Sequence, residues 1–299
     1  MRILFDELSV KLIEPHYRLI DCGNNEWRFH ESAEMQAATA EFDYINEGSF
    51  SRPRATDLYR FLKKHPDHID VLHHYSCCLN SQGKYIEALA FSQTAVAIGM
   101  RAFPKQFAVG QDRLPTGFDA NRPFLRAVHG LMLCQRSVGL IDDAIATGEM
   151  CLALDREDRM GASVSLVVYL VESGRDKTAL ALFENPNYKD KFSDVEYLHA
   201  VALIRLGRDD EARTVLRSCL HYYPQVARFI LNRNLPQPAN EDRLGGVVSG
   251  SELEGWSHAR NFGSLWRSNR AALKILREES RPYAAQSWKR YANQSKSES

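Results

Sequence analysis

Apolar positions recur at helical spacing on both sides of a glycine. Phe124, Val128 and Leu131, with the polar Gln135 in the same phase, precede Gly139, and Ile141, Ala144, Ile145 and Leu152 follow it. The same arrangement comes four times, each marked by Gly, four variable residues and Ala: GKYIEA at 83–88, GLIDDA at 139–144, GRDKTA at 174–179 and GRDDEA at 207–212. Each copy predicts a helix, a tight turn and a second helix. Glycine suits the turn because it adopts left-handed backbone without steric cost, and alanine suits a close approach of two helices.

Successive glycines are 35 residues apart from Gly139 to Gly174 and 33 apart from Gly174 to Gly207. That spacing brackets the roughly 34-residue period of tetratricopeptide repeats. On these residues the chain resembles the tetratricopeptide (TPR) family over about residues 68–226. In that register Ala88 and Ala95 take the two small positions of a second helix, and Ala144, Ala179 and Ala212 match the first of them. Pro224 falls where the family often ends a unit. The first helices depart from the family's Trp-x-x-Leu-Gly signature, with Leu72, Tyr75 and Ser76 in those slots of the first clear repeat. An earlier, degenerate repeat is expected through EFDYINEG and LYRFLKKHP. The fold implied is all-α: a right-handed α-solenoid of TPR-like helix-turn-helix repeats.

The interval from Gly83 to Gly139 is 56 residues, about 22 longer than the period, and the excess matches RAFPKQFAVGQDRLPTGFDANR, residues 101–122. Its prolines, glycines and the trio Phe103, Phe107 and Phe118 predict an ordered loop rather than a linker. Such an insertion either contributes to a binding surface or packs its aromatic rings onto neighbouring helices.

Outside the repeats, YRLID and EWRFH flank a polar turn and predict a small β-hairpin within residues 1–31. The repeat domain then covers 32–235. PQPANEDRLGGVVSG reads as a connection, and Ser251 as the N-cap of a C-terminal helical cap over 251–292, covered by Trp256, Phe262, Leu265 and Trp266.

Composition adds limits. Lys plus Arg and Asp plus Glu are 38 each, so no bulk charge draws the 299-residue chain to nucleic acid or an anionic membrane. MRILFDELSVKLIEP is broken by Asp6, Glu7 and Lys11 and does not read as a signal peptide, and no apolar run reaches the roughly 20 residues of a membrane span. Six scattered cysteines fit a reducing cytoplasm. Residues 256–299 carry nine Lys or Arg against three Glu, with Trp266, Tyr283, Trp288 and Tyr291 interleaved. The segment 267–299 is therefore a candidate contact for RNA or DNA, or else a solvated helix.

HPDHIDVLHHYSCC places His73 four residues before Cys77 and His74 four before Cys78, as two zinc ligands on one helical face would be. Adjacent residues point about 100° apart, so the four cannot share one ion, and no second paired element follows. No metal, cofactor or catalytic residue is assigned, and no enzyme is expected: Gly-x-Ser-x-Gly, a phosphate loop and His-Glu-x-x-His are all missing. Asp142 with Asp143 and Asp209 with Asp210 read as helix-start charges. What the TPR resemblance implies is a concave groove lined by Asp70, His73, Cys77 and Asn80, then Arg126, His129 and Arg136, then Tyr197 and Arg205. The groove is basic at its start. It would hold another protein, as peptide or helix, and make the chain an adaptor or scaffold.

Overall fold

The computed structural model describes residues 15–47, 54–185, 192–240 and 246–284. The segments on which the N-terminal peptide and the last aromatics, Trp288 and Tyr291, fall lie outside the described residues. The backbone divides into two compact units, Met1–Ala162 and Ser163–Ser299.

The first unit opens with the predicted hairpin, β1 (Tyr17–Asp21) and β2 (Trp27–Glu31), paired antiparallel from Tyr17 with Glu31 to Asp21 with Trp27. Its turn passes through Gly23, Asn24 and Asn25, all at positive φ, which glycine and asparagine tolerate best. The expected degenerate repeat falls on α1 (Ala33–Glu47) and α2 (Ala55–Lys64), joined in the core by Phe42 and Phe61 with ring centroids 5.8 Å apart. Two clear pairs follow: α3 (Ile69–Ser81) with α4 (Tyr85–Met100), and α5 (Arg122–Ser137) with α6 (Ile141–Leu154). Helix α5 packs against both α3 and α4, the neighbour pattern of stacked helix pairs.

The second unit continues with α7 (Ala162–Glu172), α8 (Asp176–Phe183), α9 (Ser193–Arg205) and α10 (Asp209–Tyr222). Then come α11 (Pro224–Leu231), α12 (Glu252–Asn261), α13 (Gly263–Arg267) and α14 (Arg270–Ala284). Pro224 stands at the first position of α11, so it opens a helix as well as ending a repeat; its missing N–H is an unneeded donor there. Ser251 caps α12 by accepting the Glu254 amide at 3.2 Å. Helices α12 and α14 cover α9, α10 and α11, with Trp266 fully buried between them.

All four predicted turns have one geometry. Gly83, Gly139, Gly174 and Gly207 have φ of 77°, 83°, 75° and 74°. In each, the next residue's amide reaches back five residues, as Lys84 does to the Leu79 carbonyl at 3.0 Å and Arg208 to Leu203 at 2.9 Å. This is the Schellman closure, which satisfies carbonyls a helix end would leave free. The alanine five residues beyond each glycine is wholly buried. The paired aspartates lie in the first turns of α6 and α10, but the N-cap positions are Leu140 and Arg208, without a side-chain cap, so the carboxylates bring negative charge to the helix starts without being the N-cap residues.

The insertion packs on a helix, with Phe103 5.4 Å from Phe124 of α5, and also on the hairpin. Phe103 meets Phe29 at 6.2 Å and Phe107 meets Trp27 at 5.7 Å, so two of its three rings complete the hairpin's core; Phe118 is half-buried nearer α5. Asn121 closes the arrangement: its Oδ1 accepts the Phe29 amide at 2.9 Å and its Nδ2 donates to the Trp27 and Pro115 carbonyls at 2.9 and 3.0 Å.

Candidate functional site

Helices α3 and α5 lie side by side in the first unit and bring seven of the predicted groove residues together: Asp70, His73, Cys77 and Asn80 from one, Arg126, His129 and Arg136 from the other. At the N-terminal end of both helices Arg126 clamps Asp70 with two bonds, Nε to Oδ1 at 3.0 Å and Nη2 to Oδ2 at 2.8 Å. His74 Nε2 stands 3.8 Å from the same carboxylate. The expected basic start of the groove is thus neutralised in place. A fork-on-carboxylate pair positions the two helices rather than offering free charge.

One turn further on, the Nδ1–Cε1 edge of the His73 imidazole faces Gly130. A Cβ on Gly130 would come within 2.6 Å of Nδ1, so this glycine is what lets the ring fit between the helices. Cys77 Sγ lies 3.7 Å from His73 Nε2, with Cys77 exposed. Burial first, then the neighbouring His74, lowers the His73 pKa to about 3, which keeps the ring neutral. Burial also pushes the His129 pKa down. Two polar atoms on this face, Asn80 Oδ1 and His129 Nε2, are buried without a hydrogen-bond partner.

The face runs into a cleft of about 470 Å³ bounded by β2, α1, α3 and α5. Arg28 and His30 project into it from β2, opposite the buried Trp27 and Phe29 of the same strand, as a period of two requires. Gln36, Thr39 and Asp43 of α1 complete its wall. The Thr39 hydroxyl donates to Glu31 Oε2 at 3.0 Å and lies 3.3 Å from His68 Nε2, and burial raises the Glu31 pKa. Of these five residues only Asp43 falls within a repeat, the degenerate one at EFDYINEG. The alternation in WRFHE was the only sequence signal for Arg28 and His30, and Gln36 and Thr39 of α1 had none.

In the second unit Tyr197 does not line a surface, and Arg205 is half-buried and already paired. Tyr197 is 0% exposed, donates its hydroxyl to the Tyr223 carbonyl at 3.0 Å, and packs on Trp266. Arg205 braces the turn after α7, reaching the Val171 carbonyl at 2.8 Å and Asp176 at 3.3 Å. Among the described residues no group of three His, Cys, Asp or Glu side chains stands close enough to hold a metal ion, and no helix is long and apolar enough to cross a membrane.

The family model described as "Transcriptional repressor TCF25" matches residues 27–297, from β2 to beyond α14. The chain belongs to the Tcf25 family. The tetratricopeptide resemblance describes how helix pairs are built in this Tcf25 chain; its family is a different one. No curated protein matches it. Among solved structures it is similar to "YrrB: a TPR protein with an unusual peptide-binding site", at 16% identity over 74% of this chain and 97% of that one, TM-score 0.44. It is also similar to MamA MSR-1 C2, at 15% identity over 71% and 96%, TM-score 0.38. A third is a chain of Naa15/Naa10 bound to HypK-THB, at 15% identity over 84% of this chain and 34% of that one, TM-score 0.38.

Proposed function

We propose that this Tcf25-family chain is a non-catalytic protein-interaction module that serves transcriptional repression as an adaptor, holding a peptide or helix of another protein along the α3–α5 face. One observation carries the reading: Asn80 Oδ1 and His129 Nε2, a buried acceptor and a buried ring nitrogen, are unpaired on that face. Unpaired buried polar atoms are costly; both lie just beneath the surface, so a partner that displaces the side chains covering them supplies the amides and carbonyls they lack. The process comes from the family's description and points to the nucleus, where the sequence suggested the cytoplasm. The test is a photo-crosslinking amino acid placed at exposed Cys77 on α3, with exposed Glu87 on α4 as control. Crosslinks to one protein from position 77 and not from 87 are expected; equal yields from both would sink the assignment.

A second reading follows from α14. Arg270, Lys274, Arg277 and Arg281 are all exposed and recur at helical spacing, a basic stripe suited to phosphates. Glu278 and Glu279 point instead to Arg213 and Arg217 of α10. Deleting 267–299 would remove the buried Ile275 and Leu276, so the discriminating variant is the double Arg270→Glu, Arg277→Glu, read by RNA retention.

A further inference from the structure

The second unit holds a pocket of about 260 Å³ where α11, the segment after it, α12 and α13 meet. Three of its lining residues are arginines from separate elements: Arg233 after α11, Arg260 of α12 and Arg267 of α13. Among the described residues no carboxylate pairs with any of them. The rest of the wall is largely apolar, with Phe229, Leu235 and Trp256. Several other arginines of this unit are matched to acids, as Arg208 is to Glu184 and Glu211, Arg213 to Glu278 and Glu279, and Arg228 to Glu252, while those of the α14 stripe stand exposed to solvent. What sets this site apart is that, among the described residues, three unmatched guanidinium groups from separate elements line one pocket.

The positions are held by structure. Arg267 is half-buried and folds back under Gly263, where a Cβ would come within 2.5 Å of its Nη1. Its Nη2 lies 3.5 Å from the Ala259 carbonyl. Burial, and then the charge of Arg233, lower the Arg267 pKa, so the two cations repel and an anion between them relieves both. Arg260 lies over the Trp256 ring at 5.1 Å, which fixes its guanidinium plane.

Volume and lining select the ligand. Small-molecule sites run from about 300 to 1,000 Å³, so this pocket takes one or two side chains of something larger. Arg260 lies over one face of the Trp256 ring, which takes that face from a stacking base. Planar guanidinium forks match phosphate oxygens, and a phosphate of charge near −2 balances three arginines better than one carboxylate does. We propose that this pocket receives a phosphorylated side chain of a partner protein, its phosphate held by Arg233, Arg260 and Arg267 and an adjoining apolar residue laid on Phe229, Leu235 and Trp256. This is separate from the α3–α5 face, and either can fail without the other.

The experiment uses the full chain and a fluorescein-labelled peptide containing Leu-phosphoserine-Leu, with its serine and glutamate twins, read by fluorescence anisotropy. Saturable binding of the phosphopeptide is expected, with the glutamate twin weaker and the serine twin silent. Arg233→Glu and Arg267→Ala should each weaken binding about tenfold or more. Arg267 also supports the end of α12, so Arg233→Glu, on the exposed rim, separates lost binding from lost folding, with circular dichroism as the check. No saturable binding, equal binding of the serine twin, or binding unchanged in Arg233→Glu overturns the proposal. Inorganic phosphate competing as well as the phosphopeptide overturns the assignment to a peptide, and stronger competition by oligouridine moves the site to nucleic acid.

Discussion

Replacing Asn121 with alanine should destabilise the first unit more than any exposed substitution there. The side chain is 0% exposed and stands at the outer edge of β2, where it does what a third strand would do. It takes the Phe29 amide at 2.9 Å and returns two N–H bonds, to Trp27 at 2.9 Å and to Pro115 at 3.0 Å. Three bonds at a net of about 1 kcal/mol each amount to about 3 kcal/mol. The loss rises toward about 5 kcal/mol because one amide and two carbonyls are left unpaired, and water gains poor access beneath the Phe29, Phe103 and Phe124 rings. Against a domain stability of roughly 5–15 kcal/mol that is a large fraction. Asn121→Asp keeps the acceptor for Phe29 but aims a carboxylate at two carbonyls, so at neutral pH it should cost at least as much. Urea unfolding followed by circular dichroism measures the loss, and hydrogen exchange at the Phe29 amide localises it. A loss below about 1 kcal/mol, or a Phe29 amide as protected as in the wild type, refutes the role given to Asn121.

Gly99→Ala replaces a glycine near the end of α4, where helix propensity favours alanine by at most about 1 kcal/mol. The new Cβ would lie 2.2 and 2.5 Å from two ring carbons of Phe124, which is 1% exposed and held by Phe29 and Phe103. Overpacking of about 1–3 kcal/mol should win, and a raised Tm would count against the packing described. His68, buried under the Phe42 and Phe61 rings, has its pKa lowered to about 4, first by desolvation. As pH falls below about 6.5 the unfolded chain takes up the proton first. The stability this group contributes is whole above that pH and is lost as pH falls toward 4, by roughly 3 kcal/mol. His68→Asn retains an N-cap for the Val71 amide, so it should lower stability at pH 7 yet flatten the slope between pH 6.5 and 4; an unchanged slope in urea titrations would place the pH dependence elsewhere.

The turns show why some of this architecture can be read from residues alone. A Schellman closure is a local event: Gly83 needs a left-handed φ whatever surrounds it, and Ala88 follows at a fixed helical offset. The same holds for Ser251, whose cap involves an amide three residues on, and for the hairpin's Gly-Asn-Asn turn. The site was less legible. TPR register put Arg126 and Tyr197 on a binding wall. Register tells which way a side chain leaves its helix, not what meets it there. Arg126 meets Asp70, 56 residues away, and Tyr197 meets Trp266 of the C-terminal helices. Arg28, His30 and the arginine pocket come from elements distant in sequence, and no periodicity within one element announces such convergence.

By itself the sequence determined the helix pairs, their glycine turns, the hairpin and the start of the final helices, because each rests on backbone geometry and hydrogen bonds closed within a few residues. Only the tertiary structure decided what those pieces present: the insertion's aromatic rings turned inward onto β2, the Asp70–Arg126 clamp closing the face's charge, and Arg233, Arg260 and Arg267 gathered with no acid paired to them among the described residues. Those outcomes depend on desolvation and pairing between residues far apart in the chain, and only packing brings these together.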